Sequence, residues 1–141
     1  MDKLTDKTFQ FELVSPEQVL ASEQVYMVEI PGEAGNFGVL ADHAPLLSSV
    51  RPGVVTITAP DMSQRQLFVA GGFADVTGLS CSLLAEEAIP LAELNAPKLE
   101  EELSHLKDDL GFAKDDQVKA QRIYKKIAVA EAKLDALRQA A

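Results

Sequence analysis

The sequence predicts an antiparallel β-sandwich, or flattened barrel, followed by an antiparallel hairpin of two helices. Short apolar segments separated by turn residues fill the chain up to Ala88, and many short strands at close spacing are typical of a sandwich. Beyond Leu94 the apolar residues recur with the period of a helix. Because residues 89–91 (Ile-Pro-Leu) end the strand pattern, we expect a β domain over residues 1–90 and a helical domain over residues 91–141.

Eight segments are predicted to form strands. The first, residues 8–13, alternates apolar and polar side chains, which is typical of a strand with one buried face. Turn residues, such as Arg-Pro-Gly at 51–53 and the glycine pair at 71–72, separate the later segments. In chain order the predicted strands are 8–13, 19–21, 25–30, 46–50, 54–59, 67–70, 73–77 and 80–85.

Two apolar stripes predict the helices. The first consists of leucines three or four residues apart: Leu99, Leu103, Leu106 and Leu110. The second consists of Ile123, Ile127, Ala130, Leu134 and Leu137. Pro97 can begin the first helix, because proline is tolerated in the first turn. Residues 111–113 interrupt that helix, and Asp115 or Asp116 can cap the second.

The charge of the chain excludes some classes of partner. Its formal net charge of -9 argues against a nucleic-acid backbone or an anionic lipid surface as the main partner. Before Asn95 there are four bases and 13 acids, whereas the remainder has nine of each, so the whole deficit lies in the part of the chain before Asn95. This asymmetry favours two modules with different neighbours, although an acidic soluble surface alone would also explain it.

The single cysteine and the lengths of the apolar runs indicate in which cellular compartment the protein is found. Cys81 has no partner for an internal disulfide, which fits a reducing cytoplasm, and we expect it to be a small core residue. No apolar run approaches the ~20 residues of a membrane span. Residues 1–6 have neither a hydrophobic signal core nor the arginine-rich composition of a transit peptide. We therefore expect no direct membrane insertion.

The glycine stretch, residues 31–47, carries the clearest signature. Gly32, Gly35 and Gly38 recur every third residue, so we expect a loop whose backbone repeatedly reaches φ values that favour glycine. Residues 42–45 (Asp-His-Ala-Pro) predict a second tight turn, held by an Asx-type or histidine hydrogen bond. The pattern P-G-x-x-G-x-x-G-V-L-x-x-H-A-P-L-L resembles the signature of the epsilon subunit of F-type ATP synthases.

The resemblance covers nearly the whole chain. Residues 11–15 followed by Glu17, then residues 52–57 and 71–76, and then the helical tail occur in the order of that family. It implies a noncatalytic rotor subunit of the central stalk, which binds the gamma subunit and the ring of c subunits. Such a subunit couples proton-driven rotation to ATP synthesis and lies on the cytoplasmic face of the bacterial inner membrane as a peripheral protein.

The resemblance also implies which residues meet the rotor ring. In the family the glycine stretch faces polar loops of the ring, often with a carboxylate between the second and third glycines. This chain has Asn36 at that position, so either amide hydrogen bonds or Glu33 would replace the charged contact. His43 becomes an interface residue as well, although stabilisation of a turn is the plainer interpretation of that histidine.

A basic face is predicted on the second helix. Lys119, Arg122 and Lys126 follow helical spacing, and no acid lies between Gln117 and Ala130. A solvated helix surface explains this pattern equally well. In the family, such side chains approach an acidic segment of the catalytic beta subunits, within the head of alpha and beta subunits, when the helical hairpin extends. The resemblance therefore implies an inhibitory role against ATP hydrolysis.

Cofactor binding is predicted to be weak or absent. Family members that bind ATP carry [IL]-D-x-x-R-A at the start of the first helix, and residues 94–99 here read Leu-Asn-Ala-Pro-Lys-Leu. Leu94, Asn95 and Lys98 occupy the matching positions. Since lysine cannot reproduce the planar, bidentate recognition of arginine, we expect no tight ATP site.

No pattern in the sequence predicts an active site. There is neither a nucleophile elbow nor a phosphate-binding loop, and His43 and His105 alone do not suggest a zinc centre. Two alternatives to a regulatory coupling subunit stay open. One is a small enzyme or ligand-binding sandwich with a pocket formed by the glycine stretch, Asp42 and His43. The other is a coupling subunit whose helical hairpin regulates nothing.

Overall fold

The structure, a computed structural model, describes residues 7–140. The chain divides into two compact units, which meet in sequence between Pro90 and Leu91. The first unit contains ten strands and the second contains two α-helices. Residues 1–6, on which the expectation about a signal or transit peptide rested, and residue 141 lie outside the described residues.

Ten strands are present within residues 7–140, two more than predicted. The additional strands are β4, inside the glycine stretch, and β10, where the strand pattern was expected to end. Their bounds are β1 Phe9–Val14, β2 Val19–Val25, β3 Met27–Gly32, β4 Gly35–Leu40, β5 Leu46–Val50, β6 Gly53–Thr58, β7 Gln64–Val69, β8 Gly72–Val76, β9 Ser80–Ala85 and β10 Ala88–Pro90.

The predicted boundary between the second and third strands is wrong. Val25 ends β2, where it pairs with Phe9 of β1, rather than starting the next strand. The chain bends at Tyr26, whose N–H donates to the carbonyl of Thr58 at 2.9 Å. After this bend the chain pairs with β6 instead of β1. The alternation of apolar and polar side chains along a strand does not reveal such a change of pairing partner.

The glycine stretch is a β-hairpin rather than the predicted loop. β3 pairs with β4 from Met27 to Gly32, and only Gly35 among the three spaced glycines has a positive φ, at 134°. Gly32 is needed for close packing, because a Cβ there would lie 2.7 Å from Cε1 of Phe37 and 2.8 Å from the carbonyl oxygen of Gly35. A Cβ at Gly38 would meet only the flexible end of the Met27 side chain, at 2.6 Å.

The strands form one sheet in the order β10-β7-β6-β3-β5-β8-β9-β1-β2, with β4 beside β3. The ladder between β3 and β5 is a single pair, Gly32 and Val50, so the sheet divides there into two halves of five strands. Pairing is antiparallel except between β1 and β9. The sandwich is therefore antiparallel, as predicted, with one parallel pair.

One apolar core lies between the two halves, as the sandwich prediction requires. It combines Phe11 and Leu83 from one half with Ile30 and Ile57 from the other. Cys81 belongs to this core and is fully buried. Burial, with a smaller contribution from the charge of Asp75, raises the pKa of its thiol to about 12, so the cysteine is an unreactive core residue at neutral pH.

The second unit is the predicted helical hairpin, with α1 at Ala96–Phe112 and α2 at Gln117–Ala140. Helix α1 begins one residue before Pro97 and includes Gly111, which was expected to interrupt it. Asp116 caps α2, because its Oδ1 accepts a hydrogen bond from the N–H of Lys119 at 3.0 Å. The two helices share an apolar cluster formed by Leu106, Ala113, Ile123 and Ile127.

Gly72→Ala is predicted to destabilise the β unit by about 2 kcal/mol or more. Gly72 has a φ of 146°, and a Cβ there would lie 1.9 Å from the carbonyl oxygen of Leu84, so alanine combines backbone strain with a clash. Urea unfolding followed by circular dichroism measures the loss. Gly78→Ala is the control, because no atom lies within 4 Å of its added Cβ. Equal midpoints for both variants would contradict the prediction.

Candidate functional site

An exposed apolar stripe crosses the outer face of one half of the sheet. The register aligns Phe73 of β8 with Leu84 of β9, Leu84 with Val14 of β1, and Val14 with Val19 of β2. Leu47 of β5 completes the stripe, because it is the diagonal neighbour of Phe73 on the adjacent strand. We define the apolar stripe as Val14, Val19, Leu47, Phe73 and Leu84.

Four of these five side chains are largely open to solvent. The exposed fraction is 47% for Phe73, 59% for Leu84, 63% for Val19 and 66% for Leu47. Side chains paired across neighbouring strands have Cβ atoms roughly 5 Å apart, so these residues form continuous apolar surface. Contiguous exposed apolar surface marks sites of protein association, whereas single exposed leucines do not.

The stripe was missed in the sequence, although the sequence contains a signal for it. Ala74 and Val76 of β8, and Cys81 and Leu83 of β9, point into the core. The alternate positions of a sheet with one wet face are normally polar. Phe73 and Leu84 break that alternation, and only the strand register shows that they adjoin each other.

The tip of the β3–β4 hairpin brings Glu33 and Asn36 together. The side chain of Asn36 is exposed but engaged within the chain: its Oδ1 accepts a hydrogen bond from the guanidinium of Arg51, and its Nδ2 donates to Oε1 of Glu29 at 3.4 Å. Arg51 also donates from Nε to the carbonyl of Gly32 at 3.1 Å. Arg51 therefore braces the tip, a role that the sequence did not suggest.

Glu33 is the freer of the two predicted tip residues. Its backbone N–H donates to the carbonyl of Ser49 at 3.1 Å, which fixes the main chain. Its side chain is exposed, and among residues 7–140 no hydrogen bond or ion pair holds the carboxylate. Glu33 can therefore contact a partner, whereas Asn36 must first give up internal hydrogen bonds.

His43 lies away from this tip, beyond the far end of β4. Leu40 lies four residues after Asn36 along β4, which is roughly 14 Å of chain. The predicted turn is present: the N–H of His43 donates to the carbonyl of Leu40 at 3.2 Å, and Asp42 has a φ of 64°. A histidine hydrogen bond joins Nδ1 to the carbonyl oxygen of Ala44, at 2.6 Å. The hairpin tip and the His43 turn therefore lie at opposite ends of β4.

The predicted basic face on α2 is exposed. Lys119, Arg122 and Lys126 all have solvent-exposed side chains. Within the part of the chain that the structure describes, none of them forms an ion pair. Three cations at helical spacing therefore remain open to an acidic partner.

Of the three residues at the positions of the family's ATP-binding motif, one has a structural role. Oδ1 of Asn95 accepts a hydrogen bond from the N–H of Lys98 at 3.1 Å, so Asn95 is the N-cap of α1. Leu94 precedes the cap, and the side chain of Lys98 is exposed. No group of three or more potential metal ligands occurs among residues 7–140. None of the helices described is long and apolar enough to cross a membrane.

Comparison with known proteins identifies the family. Residues 8–91 match the family model described as ATP synthase, Delta/Epsilon chain, beta-sandwich domain. The ATP synthase epsilon chain of Rhodospirillum rubrum is 48% identical over 130 residues, which cover 92% of this chain and 96% of that protein. The epsilon chain of Mesorhizobium japonicum is 41% identical over 115 residues, covering 82% of this chain and 85% of the relative.

Solved structures share the fold. A chain in the Euglena gracilis mitochondrial ATP synthase, OSCP/F1/c-ring in rotational state 1, superimposes with a TM-score of 0.80 at 22% identity, covering 93% of this chain and 82% of that one. A chain of the Tetrahymena thermophila mitochondrial ATP synthase central stalk and ring gives a TM-score of 0.61 at 13% identity, covering 91% and 95%. With the sequence matches, these findings establish that the chain belongs to the ATP synthase epsilon chain family and is a noncatalytic subunit of that complex.

Proposed function

We propose that this epsilon chain is a rotor subunit of the central stalk, which couples rotation of the ring of c subunits to ATP synthesis in the catalytic head. In this role the β-sandwich binds the gamma subunit and the ring, so that the three turn together. The single observation that carries the proposal is the apolar stripe on a stiff sheet. Transmission of torque needs broad protein contacts and a rigid body, and it needs no reactive side chain.

The stripe is assigned to the gamma subunit. Burial of a large aliphatic or aromatic side chain stabilises an interface by roughly 1.5 to 3 kcal/mol relative to full exposure. Phe73, Leu84, Val19 and Leu47 are already about half exposed or more, so together they offer several kcal/mol to a complementary surface. The sheet fixes the backbone of all four, and binding therefore orders little except side chains.

The tip of the β3–β4 hairpin is assigned to the rotor ring. It presents the exposed carboxylate of Glu33, together with main-chain groups fixed by hydrogen bonds from Glu33 and Arg51. A polar tip suits the polar loops at the surface of a membrane ring. His43 contributes through its turn, which holds the chain between β4 and β5. We propose on this basis that the protein is a peripheral subunit on the cytoplasmic face of the bacterial inner membrane.

The helical hairpin is assigned a regulatory role. The basic face of α2 has the charge to bind an acidic segment of the catalytic beta subunits. A pair of helices buries little apolar area by itself, so we expect the hairpin to be a marginal unit that can exchange one set of neighbours for another. A hairpin bound to the head would oppose ATP hydrolysis.

Leu84→Ser is predicted to weaken binding of the gamma subunit roughly tenfold or more, because it removes an apolar side chain from the middle of the stripe. Titration of the full-length chain with the gamma subunit of the same ATP synthase, by calorimetry, measures the change. Leu79→Ser is the matched control, since Leu79 is 82% exposed but lies in the turn outside the stripe. Equal losses in both variants, or none in either, would refute the assignment of the stripe.

Neutralising the basic face is predicted to raise ATP hydrolysis severalfold. The variant replaces Lys119, Arg122 and Lys126 by glutamine, and the purified catalytic complex is assayed with it. A chain truncated after Glu93, which lacks both helices, should show the same increase. Replacement of Lys98, Lys107 and Lys114 by glutamine removes the same charge elsewhere and should leave hydrolysis unchanged. Unchanged rates in all variants would mean that the hairpin does not regulate this enzyme.

ATP is predicted to show no saturable binding to the full-length chain at low micromolar concentration. Asn95 caps α1 and Lys98 replaces the arginine of the family motif. Equilibrium dialysis with labelled ATP measures binding. The double variant Asn95→Asp, Lys98→Arg keeps the cap and tests whether the two lost groups restore affinity. Measurable binding by the unaltered chain in this range would overturn the prediction.

A further inference from the structure

We propose that the surface of gamma that docks on the apolar stripe carries a pair of basic side chains, which are selected by two carboxylates alongside the stripe. This inference rests on the proposed function and specifies the chemistry of the partner. The two carboxylates belong to Asp75 of β8 and Glu12 of β1, which we call the acidic row. Both side chains are exposed.

The sheet register places the acidic row beside the stripe. Asp75 pairs with Ser82 of β9, and Ser82 pairs with Glu12. Each member lies two residues along its strand from a stripe residue, Asp75 from Phe73 and Glu12 from Val14. Because side chains two residues apart point to the same face of a sheet, the row shares the face of the stripe. Two strand residues span roughly 7 Å, which separates the row from Phe73 and Val14, whereas Leu47 of the stripe pairs directly with Asp75.

The spacing within the acidic row is also fixed by the sheet. One strand, β9, separates β8 from β1, so the backbones of Asp75 and Glu12 lie about 10 Å apart. Within residues 7–140, neither carboxylate takes part in an ion pair, and the remaining members of this ladder are Leu47, Ser82 and Ser22. The negative charge of the row is therefore not neutralised on this face.

A partner that covers the stripe must also approach these carboxylates. Removing water from an ionised carboxylate without an opposing cation is costly, and two like charges near a contact reject an acidic partner. A complementary surface therefore needs an apolar patch flanked by lysine or arginine side chains about 10 Å apart. Charges at the edge of an interface act mainly on the association rate and its salt dependence, which gives this inference its own readout.

The test compares two double variants of the full-length chain with gamma of the same ATP synthase, at low and high salt. Asp75→Lys with Glu12→Lys should weaken binding at low salt roughly tenfold, chiefly through slower association, and should reduce the salt dependence. Asp75→Asn with Glu12→Gln should give a smaller loss of the same kind and guards against misfolding of the reversed variant. Glu101→Lys with Asp109→Lys, on α1, makes the same change in net charge and should bind like the unaltered chain.

Each outcome decides between this inference and the proposed function. If the unaltered chain binds gamma and both variants of the acidic row bind equally well with the same salt dependence, the basic pair is refuted while gamma docking stands. If the charge-matched control weakens binding as much, net charge rather than the acidic row is responsible, and the inference also fails. If the unaltered chain does not bind gamma but forms a dimer that Phe73→Ser abolishes, the stripe belongs to a second copy and both proposals fall.

Discussion

The register of β8 against β9, and of β9 against β1, is the constraint on which the rest of this protein depends. It places Phe73, Leu84 and Val14 in one line on the outer face, while Ala74, Leu83 and Leu13 fill the core. A slip by one residue would exchange the two sets and remove both the core and the stripe. Gly72 makes this register possible, because any larger residue would meet the carbonyl of Leu84.

The two units of the chain are built differently, and each suits a different task. The sandwich has a continuous core and a braced hairpin tip, in which Arg51 joins the end of β5 to Gly32 and Asn36. Such a body can transmit force without changing shape. The helical hairpin has its own apolar cluster and an exposed basic face on α2.

The structural features that depend on the local spacing of apolar residues could be predicted from the sequence. Both helices and most strands follow from spacing, because burial of one face imposes a period on the chain, and the cap of α2 was narrowed to Asp115 or Asp116. What depends on distant pairing could not be predicted. The β3–β4 hairpin was mistaken for a loop, since the need for Gly32 arises from Phe37 and the carbonyl of Gly35 across the hairpin. Likewise, the position of Asn36 between Arg51 and Glu29 requires the fold, and the stripe requires the register. The glycine signature nevertheless identified the family.

The coupling role is tested most directly by measuring ATP-driven proton pumping in inverted membrane vesicles. The vesicles are first stripped of this chain and then reconstituted with it. We expect stripped membranes to hydrolyse ATP but to pump protons poorly. The unaltered chain should restore proton pumping because it reconnects gamma to the ring. A Phe73→Ser, Leu84→Ser chain, in which the stripe is broken, should fail to restore it at the same concentration. Equal pumping with and without the chain would contradict a coupling role.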